Sequence, residues 1–277
     1  MNIDKILEDI QSIALECGKI HMKYYNVDHI DFTTKTSFCD ILTKADLESD
    51  AYIRSQIDKL YPYAGIITEE GENKQPTKSE MEEIWFCADP LDGTANFASY
   101  FPNFCVSIGV LDKNHKPIAG VVYHPTRDEL FIGAKGKGAY LIHNGTKKRL
   151  HCSKAKDIKD QVITTILLAN YSEYYLSELS TVLKVAKDFR ESGSCASDLC
   201  NIAAGRSPGF YGYGPHAWDL AGAWPIIEEA GAVIVNYDGV EFSRENLHIP
   251  RLGIVAGPPE IVKQLVEITS KFGEKPF

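Results

Sequence analysis

The chain has 277 residues, 44% of them hydrophobic and 24% charged, which suffices for one large domain or two small ones. This composition excludes disordered, collagen-like and coiled-coil proteins. With 38 acidic residues against 29 basic ones, the net charge of −9 repels phosphate backbones. We therefore expect no nucleic-acid partner and no polybasic membrane contact.

The cysteines and the N-terminus indicate the compartment. The seven cysteines form no C-x-x-C pair, and several lie among apolar residues. Buried free thiols in a reducing compartment explain this pattern best. The N-terminus lacks the apolar core of a signal peptide, and no apolar run approaches the roughly 20 residues that span a bilayer. The sequence therefore predicts a cytoplasmic protein.

Hydrophobic periodicity predicts helices followed by several strands in the first half of the chain. Thr43 and Asp46 resemble a capping box at the start of the second helix. The Asp89-Pro90 pair is expected to stop the second strand. The predicted elements are helices over 3–25, 44–60 and 94–98, and strands over 63–68, 84–88, 104–111, 119–123, 130–134 and 138–143.

The second half alternates strands and helices. Pro225 is expected to bend or divide one helix, and Pro259 to start the last one. The predicted strands are 162–169, 209–213, 232–236 and 252–256, and the helices are 172–187, 194–204, 217–230 and one from 259 onward. A polar stretch near 144–155 marks a soft boundary. We expect one mixed α/β domain over 1–277, with sub-domains of roughly 1–145 and 146–277.

The strongest chemical signal is Asp-Pro-Leu-Asp-Gly-Thr at residues 89–94, between a buried strand and a helix. Asp89 and Asp92 can turn back on one point, with the Leu91 carbonyl between them. Such hard oxygen ligands suit Mg²⁺ and not Zn²⁺. The following amides of Gly93 and Thr94 open a helix, where free N–H groups bind phosphate, and the Thr94 hydroxyl can orient a water.

Three further acidic segments are weak signals when each is taken alone. Glu69 lies at the end of a strand, where carboxylates are usually solvated. Asp219 and Asp46 each lie in the first turn of a helix, where an aspartate ordinarily acts as a cap.

Together, in this order, these segments resemble the inositol monophosphatase family of Mg²⁺-dependent, lithium-sensitive phosphatases. The similarity runs from about Lys35 to the final helix. The Asp-Pro-x-Asp-Gly-Thr and Trp-Asp motifs are its most specific parts. The matching stretches are residues 40–46, 68–70, 85–97, 120–123, 136–139 and 218–231. The resemblance implies a layered αβαβα sandwich, classed as α/β or α+β, that assembles as a homodimer.

The resemblance also implies roles for individual residues. Two Mg²⁺ ions would bind, with a weaker third ion near Glu69. Asp46 and Thr94 would hold and deprotonate the attacking water. The implied metal ligands are Glu69, Asp89, the Leu91 carbonyl, Asp92 and Asp219; the catalytic residues are Asp46, Thr94 and Glu69; and the phosphate- or substrate-binding residues are Asp92, Gly93, Thr94, Gly193, Ser194, Cys195, Gly212 and Asp219.

Elementary electrostatics supports a metal-assisted hydrolysis. Each pair of carboxylates about 4 Å apart repels by about 4 kcal/mol at an effective dielectric of 20, so such a cluster makes sense only with cations. Two metal ions neutralise charge on the phosphate and acidify a bound water. We expect direct in-line attack by that water, without a phosphoenzyme.

One position departs from the family pattern. Gly212 stands where inositol enzymes of the family carry a glutamate that grips substrate hydroxyls. We therefore expect broadened specificity for small phosphomonoesters such as inositol 1-phosphate. A phosphatase of the NADP 2′-phosphate, or of another nucleotide or sugar phosphate, is the alternative.

Two interpretations of another kind stay open. Residues 212–217 match G-x-G-x-x-A between a strand and a helix, the outline of a dinucleotide-binding turn. The short strand, Pro215 and the charge of Asp219 count against it. A non-enzymatic module with structural Ca²⁺ is the other interpretation, but it leaves Thr94 and Asp46 without a role.

Overall fold

The computed structural model describes residues 2–37, 40–77, 83–166, 172–241 and 253–272. The described α-helices are α1 Ile3–Tyr25, α2 Lys44–Leu60, α3 Thr94–Ala98, α4 Ser172–Leu183, α5 Cys195–Ala203, α6 Ala217–Ala221, α7 Trp224–Glu229 and α8 Pro259–Thr269. The described strands are β1 Phe32–Thr34, β2 Ile41–Thr43, β3 Gly65–Thr68, β4 Trp85–Asp92, β5 Cys105–Leu111, β6 Pro117–His124, β7 Glu129–Ala134, β8 Gly138–His143, β9 Thr146–Arg149, β10 Val162–Ile166, β11 Asp188–Glu191, β12 Phe210–Tyr213, β13 Val233–Asn236 and β14 Gly253–Gly257.

Two large sheets organise the described chain. The first has the order β3-β4-β5-β6-β7-β8-β9, and only its β3–β4 pair is parallel. The second has the order β11-β10-β12-β14-β13, with β10 parallel to both β11 and β12. A two-stranded hairpin of β1 and β2 stands apart from both sheets.

Helices cover the sheets in alternating layers. Helices α1 and α2 pack on one face of the first sheet, while α6 and α7 pack on strands β4 to β8. Helix α5 contacts α7 and also strands of both sheets, so α5, α6 and α7 lie between them. Helix α8 contacts β13, β14 and α4 on the remaining face of the second sheet. This order confirms the predicted αβαβα sandwich.

The middle helical layer lies very close to the first sheet. A Cβ atom at Gly120 in β6 would overlap the backbone of Gly222, which links α6 to α7. Only a residue without a side chain permits this approach. The contact fixes the end of α6, and through this short helix Asp219, relative to the first sheet.

Strand β4 is longer than the sequence predicts. We expected Asp89-Pro90 to end it at residue 88, but it continues to Asp92. The pairing register with β5 shifts between Asp89 and Asp92, which shows a bulge. Proline lacks an N–H for the ladder, and at a bulge none is required. The bulge places both aspartates at the end of one strand.

The predicted helix over 217–230 is divided in two. The break falls at Gly222-Ala223, and Pro225 lies in the first turn of α7. Proline is favoured there because its missing N–H would have no partner within the helix. The expected effect of this proline is confirmed.

Other boundaries differ by a few residues. The hairpin β1–β2 and strand β11 were not predicted from the sequence. Helix α4, predicted over 172–187, ends at Leu183, and β11 begins at Asp188. Part of the polar stretch at 144–155 forms β9, the exposed edge strand of the first sheet. The predicted strand residues 167–169 and 252 lie outside the described residues.

The described cysteines are free, and all but Cys152 are buried. Among the described residues, none of the helices combines the length and apolar character needed to cross a membrane.

Candidate active site

Three aspartates from distant parts of the chain meet at the end of β4. Asp89 and Asp92 flank the bulge, and Asp219 lies in the first turn of α6. One carboxylate oxygen from each lies within 4.8 Å of those from the other two. A donor set made of carboxylates alone fits a hard cation such as Mg²⁺. The sequence predicted all three residues, and the structure brings them together.

The N-terminus of α5 holds Asp92. Its Oδ2 accepts hydrogen bonds from the Ser194 hydroxyl at 2.7 Å and the Ala196 N–H at 2.7 Å, and its Oδ1 accepts from the Cys195 N–H at 3.2 Å. Burial raises the pKa of Asp92, while these bonds stabilise its anion. Ser194 and Cys195 were predicted to border the substrate, and here they hold a carboxylate. Their contact with substrate stays a prediction.

The bulge in β4 has its own supports. The Leu91 N–H donates to Asp89 Oδ1 at 2.9 Å. His21 of α1 is fully buried, and its Nε2 lies 2.8 Å from the Pro90 carbonyl oxygen. Burial lowers the pKa of His21 to about 4, so the neutral ring donates its Nε2–H to that carbonyl. Asp219 is oriented separately, since its Oδ2 accepts the His216 N–H at 2.6 Å.

Asp46 and Thr94 form a polar pair beside the bulge. The Thr94 hydroxyl lies 3.0 Å from Asp46 Oδ1 and 3.0 Å from the Leu91 carbonyl oxygen. The other oxygen of Asp46 accepts from the Thr43 N–H at 2.8 Å and its hydroxyl at 2.5 Å, which confirms the predicted capping box. Burial raises the pKa of Asp46 to about 6, although the bonds from Thr43 and Thr94 oppose it. Asp46 therefore suits proton transfer near neutral pH.

Glu69, at the end of β3, lies outside the three-aspartate group. Its Oε1 is ion-paired with the Lys35 Nζ at 2.7 Å, and the same ammonium lies 2.8 Å from Glu70 Oε1. Burial lowers the pKa of Lys35, but the two glutamates outweigh it and leave that pKa raised. Glu69 is near enough that its charge contributes to raising the pKa of Asp89. No pattern in the sequence pointed to Lys35 as a residue of the site.

Two asparagines missed by the sequence interpretation join α3 to the start of α5. The Nδ2 groups of Asn96 and Asn103 donate to the Ser192 carbonyl at 2.8 and 2.9 Å. Gly93, with φ of +92°, begins α3, and a Cβ there would lie 2.9 Å from the Asn103 carbonyl oxygen and 3.2 Å from that of Gly193. Glycine is therefore required at the point where the two segments cross.

Gly212 lies in the middle of β12, beside Ile166 of β10. A Cβ atom at residue 212 would overlap Cγ2 of Ile166. An apolar side chain thus occupies the space into which any larger residue at 212 would extend.

The dinucleotide interpretation of residues 212–217 does not fit this topology. The helix that follows, α6, has five residues and carries Asp219 into the acidic group. The next described strand, β13, pairs antiparallel with β14 and not with β12. A dinucleotide fingerprint requires a parallel βαβ unit and a site that tolerates pyrophosphate.

The acidic group predicts an unusual pH dependence for the metal-free protein. Burial raises the pKa of Asp89 and Asp219 well above the ordinary 3.8, and burial raises that of Glu70 to about 7. The folded state therefore holds protons that the unfolded chain has lost. Burial lowers the pKa of His21 and His124 from 6.5, an opposite effect that is smaller because fewer groups contribute to it.

We expect the free energy of unfolding of metal-free protein to fall from about pH 5 to about pH 7, the range between the ordinary carboxyl pKa and the raised pKa of Glu70. Each carboxyl group that stays protonated in the folded protein while it is ionised in the unfolded chain contributes a slope of about 1.4 kcal/mol per pH unit. Urea unfolding at each pH measures it. Saturating Mg²⁺ should reduce the slope, because a bound cation stabilises the ionised carboxylates. A metal-free protein that gains stability over this pH range would contradict this assignment.

Comparison with known proteins agrees with the chemistry of the site. A model of the inositol monophosphatase family matches residues 2–273. The Nus factor SuhB of Escherichia coli strain K12 is 35% identical over 257 residues, 91% of each chain. Extragenic suppressor protein suhB from Bartonella henselae is 29% identical, with a TM-score of 0.86 over 96% of this chain and 99% of that chain. An IMPase/NADP phosphatase complexed with Mg²⁺ and phosphate, 18% identical, has a likeness of fold alone, with a TM-score of 0.79 over 96% of this chain and 94% of that chain.

Proposed function

Because the chain belongs to the inositol monophosphatase family, we propose that it is a Mg²⁺-dependent phosphatase of small phosphomonoesters such as inositol 1-phosphate. Its class, phosphomonoester hydrolase, follows from the family. The metal, the substrate range and the residue roles are the proposal. The observation that carries it is the group of Asp89, Asp92 and Asp219 beside the Asp46–Thr94 pair.

The carboxylates of Asp89, Asp92 and Asp219 would hold Mg²⁺, with the Leu91 carbonyl and Glu69 completing the set for two or three ions. Bound there, Mg²⁺ supplies neutralisation of phosphate charge and acidification of a water. The Mg²⁺ and phosphate held by the IMPase/NADP phosphatase of similar fold support this choice of metal. Lithium inhibition stays a prediction of the resemblance.

Asp46 and Thr94 would move the proton of the attacking water. Thr43 occupies one oxygen of Asp46, which leaves the other to the Thr94 hydroxyl. A threonine that donates to this carboxylate has lone pairs free to accept a water proton. With a pKa of about 6, Asp46 is ionised at neutral pH and still basic enough to assist. With this pair assigned to the attacking water, we propose direct attack by water, without a phosphoenzyme.

The substrate pocket would be less polar than an inositol-specific one. Gly212 offers no carboxylate to a polyol, and the Cγ2 methyl group of Ile166 fills the space that a side chain at 212 would need. We propose that inositol 1-phosphate is hydrolysed together with nucleotide-type or sugar monoesters, including the 2′-phosphate of NADP. Hydrolysis of this last compound as the main activity is the alternative within the same family.

A panel of phosphomonoesters tests the substrate proposal. We expect phosphate release from inositol 1-phosphate and from at least one nucleotide or sugar monoester, compared by kcat/KM. Because Ile166 blocks a larger residue at 212, the variant Gly212→Glu/Ile166→Ala should shift the ratio towards inositol 1-phosphate by about 2–10-fold, the size of one hydrogen bond. Ile166→Ala alone is the matched control. If the wild-type protein already selects inositol 1-phosphate, and the double variant has the same ratio of kcat/KM values, then residue 212 does not contact the substrate.

The same assays separate the remaining interpretations. A structural Ca²⁺ module would bind the cation and release no phosphate from any monoester. A dinucleotide enzyme would instead transfer hydride with NAD(P)H. A homodimer and a cytoplasmic location remain predictions, and the free cysteines are compatible with that location.

A further inference from the structure

Arg54 links helix α2 to the segment that follows β3. It lies two turns after Asp46 on α2 and is about one-fifth exposed. Its Nε donates to Asp50 Oδ2 at 2.9 Å, one turn back on the same helix. Its two terminal nitrogens bind partners outside the helix. Nη1 donates to the Glu72 carbonyl at 2.8 Å, and Nη2 donates to the Thr68 hydroxyl.

These two partners flank the acidic pair of the site. Thr68 directly precedes Glu69 and Glu70, and Glu72 follows two residues later. The planar guanidinium therefore grips the segment on both sides of Glu69. A charged, forked donor fixes orientation as well as distance, because its N–H groups diverge at set angles.

Gly71 shows how closely the guanidinium fits. A Cβ atom at residue 71 would overlap the Arg54 guanidinium atoms, and its backbone has no positive φ that would itself require glycine. An alanine there would displace the end of the arginine side chain while removing no hydrogen-bonding group of its own. Gly71→Ala therefore perturbs the same contact from the opposite side.

We propose that Arg54 is a positioning residue, which holds the Glu69 carboxylate where it can join the aspartates in binding Mg²⁺. This inference rests on the proposed function, in which Glu69 is a metal ligand. The ion pair with Asp50 alone would only stabilise α2. The bonds to Thr68 and Glu72 give the side chain its second role, because they cross to the end of β3 and the segment after it, which carries Glu69.

The experiment measures Mg²⁺ binding by calorimetry on the full chain, with turnover measured at saturating Mg²⁺. Arg54→Ala should raise the dissociation constant about 10–100-fold, the usual effect of losing a residue that orients a metal ligand. Gly71→Ala should raise it by a smaller factor. Arg54→Lys, which keeps the charge without the fork, should resemble Arg54→Ala. At saturating Mg²⁺ all three should recover most of the wild-type kcat.

Lys5→Ala is the matched control, since Lys5 forms an i,i+4 ion pair with Asp9 at 2.7 Å on α1, away from the site. It should leave Mg²⁺ affinity unchanged. If Arg54→Ala fails to fold, Arg54→Lys and Gly71→Ala decide the question. Wild-type affinity in the Arg54 variants, or an equal loss in Lys5→Ala, would overturn the positioning role. A wild-type protein that binds no Mg²⁺ would overturn the proposed function itself.

Discussion

Asp219→Asn is expected to abolish measurable phosphatase turnover while the protein stays folded. The amide keeps the shape of the side chain but removes one of the three carboxyl groups whose oxygens lie within 4.8 Å of one another. Asp92→Asn should have the same result, because its carboxylate belongs to the same group. Steady-state phosphate release at ordinary Mg²⁺ measures the effect.

An exposed aspartate provides the control for these substitutions. Asp238 lies in a turn outside the acidic group, and Asp238→Asn should keep full activity. Mg²⁺ should raise the melting temperature of the wild type, because it binds only the folded site, and should do so less for Asp219→Asn. Near-normal turnover in either Asp92→Asn or Asp219→Asn would show that the assigned ligands are wrong.

Thr94→Ala is expected to lower kcat by about 10²–10⁴-fold, the usual contribution of a positioned proton-transfer group. The hydroxyl that alanine lacks lies 3.0 Å from Asp46 and links it to the attacking water in the proposed mechanism. Asp46→Asn should cause a similar loss. The double variant should be little worse than either single one, because the two residues act as one unit.

The exposed Thr146 of edge strand β9 supplies the control, and Thr146→Ala should leave kcat unchanged. Strictly multiplicative losses in the Thr94 and Asp46 double variant would show that the residues act independently. The stereochemistry at phosphorus gives a separate check. Inversion is expected for direct attack by water, and retention would indicate a phosphoenzyme.

The parts of the site that could be predicted are those whose residues lie close together in the sequence. Asp89 and Asp92 stand three residues apart after the predicted strand over 84–88, a spacing that already indicates a shared ligand site. The Thr43–Asp46 capping box was equally visible, because both partners lie within one turn. Asp219, taken by itself, was interpreted as a helix cap. Only the resemblance to a family connected it with Asp89 and Asp92.

The contacts that support the site could not be predicted from the sequence. Lys35 meets Glu69 across 34 residues, and Asn96 reaches the Ser192 carbonyl across 96. Such pairs depend on how layers stack, and periodicity within one element does not encode stacking. The same limit applies to Gly212, whose neighbour Ile166 is known only from the pairing of β10 with β12.

Some strand boundaries and short strands were predicted wrongly because features of single positions or of strand pairing decide them. Proline normally ends a strand, but in β4 it occupies a bulge and the strand continues to Asp92. The short strands β1, β2 and β11 have three or four residues each, too few to display an alternating pattern. Pairing with a neighbour, which periodicity does not report, defines them.

The most direct test of the account is phosphate release by chelator-stripped protein as Mg²⁺ is added back. The substrates should include inositol 1-phosphate and one nucleotide monoester. We expect no turnover without the cation, and turnover that rises to a plateau as Mg²⁺ occupies the group formed by Asp89, Asp92 and Asp219. Full activity in the stripped protein, or no phosphate release from any monoester at any Mg²⁺ concentration, would contradict the account.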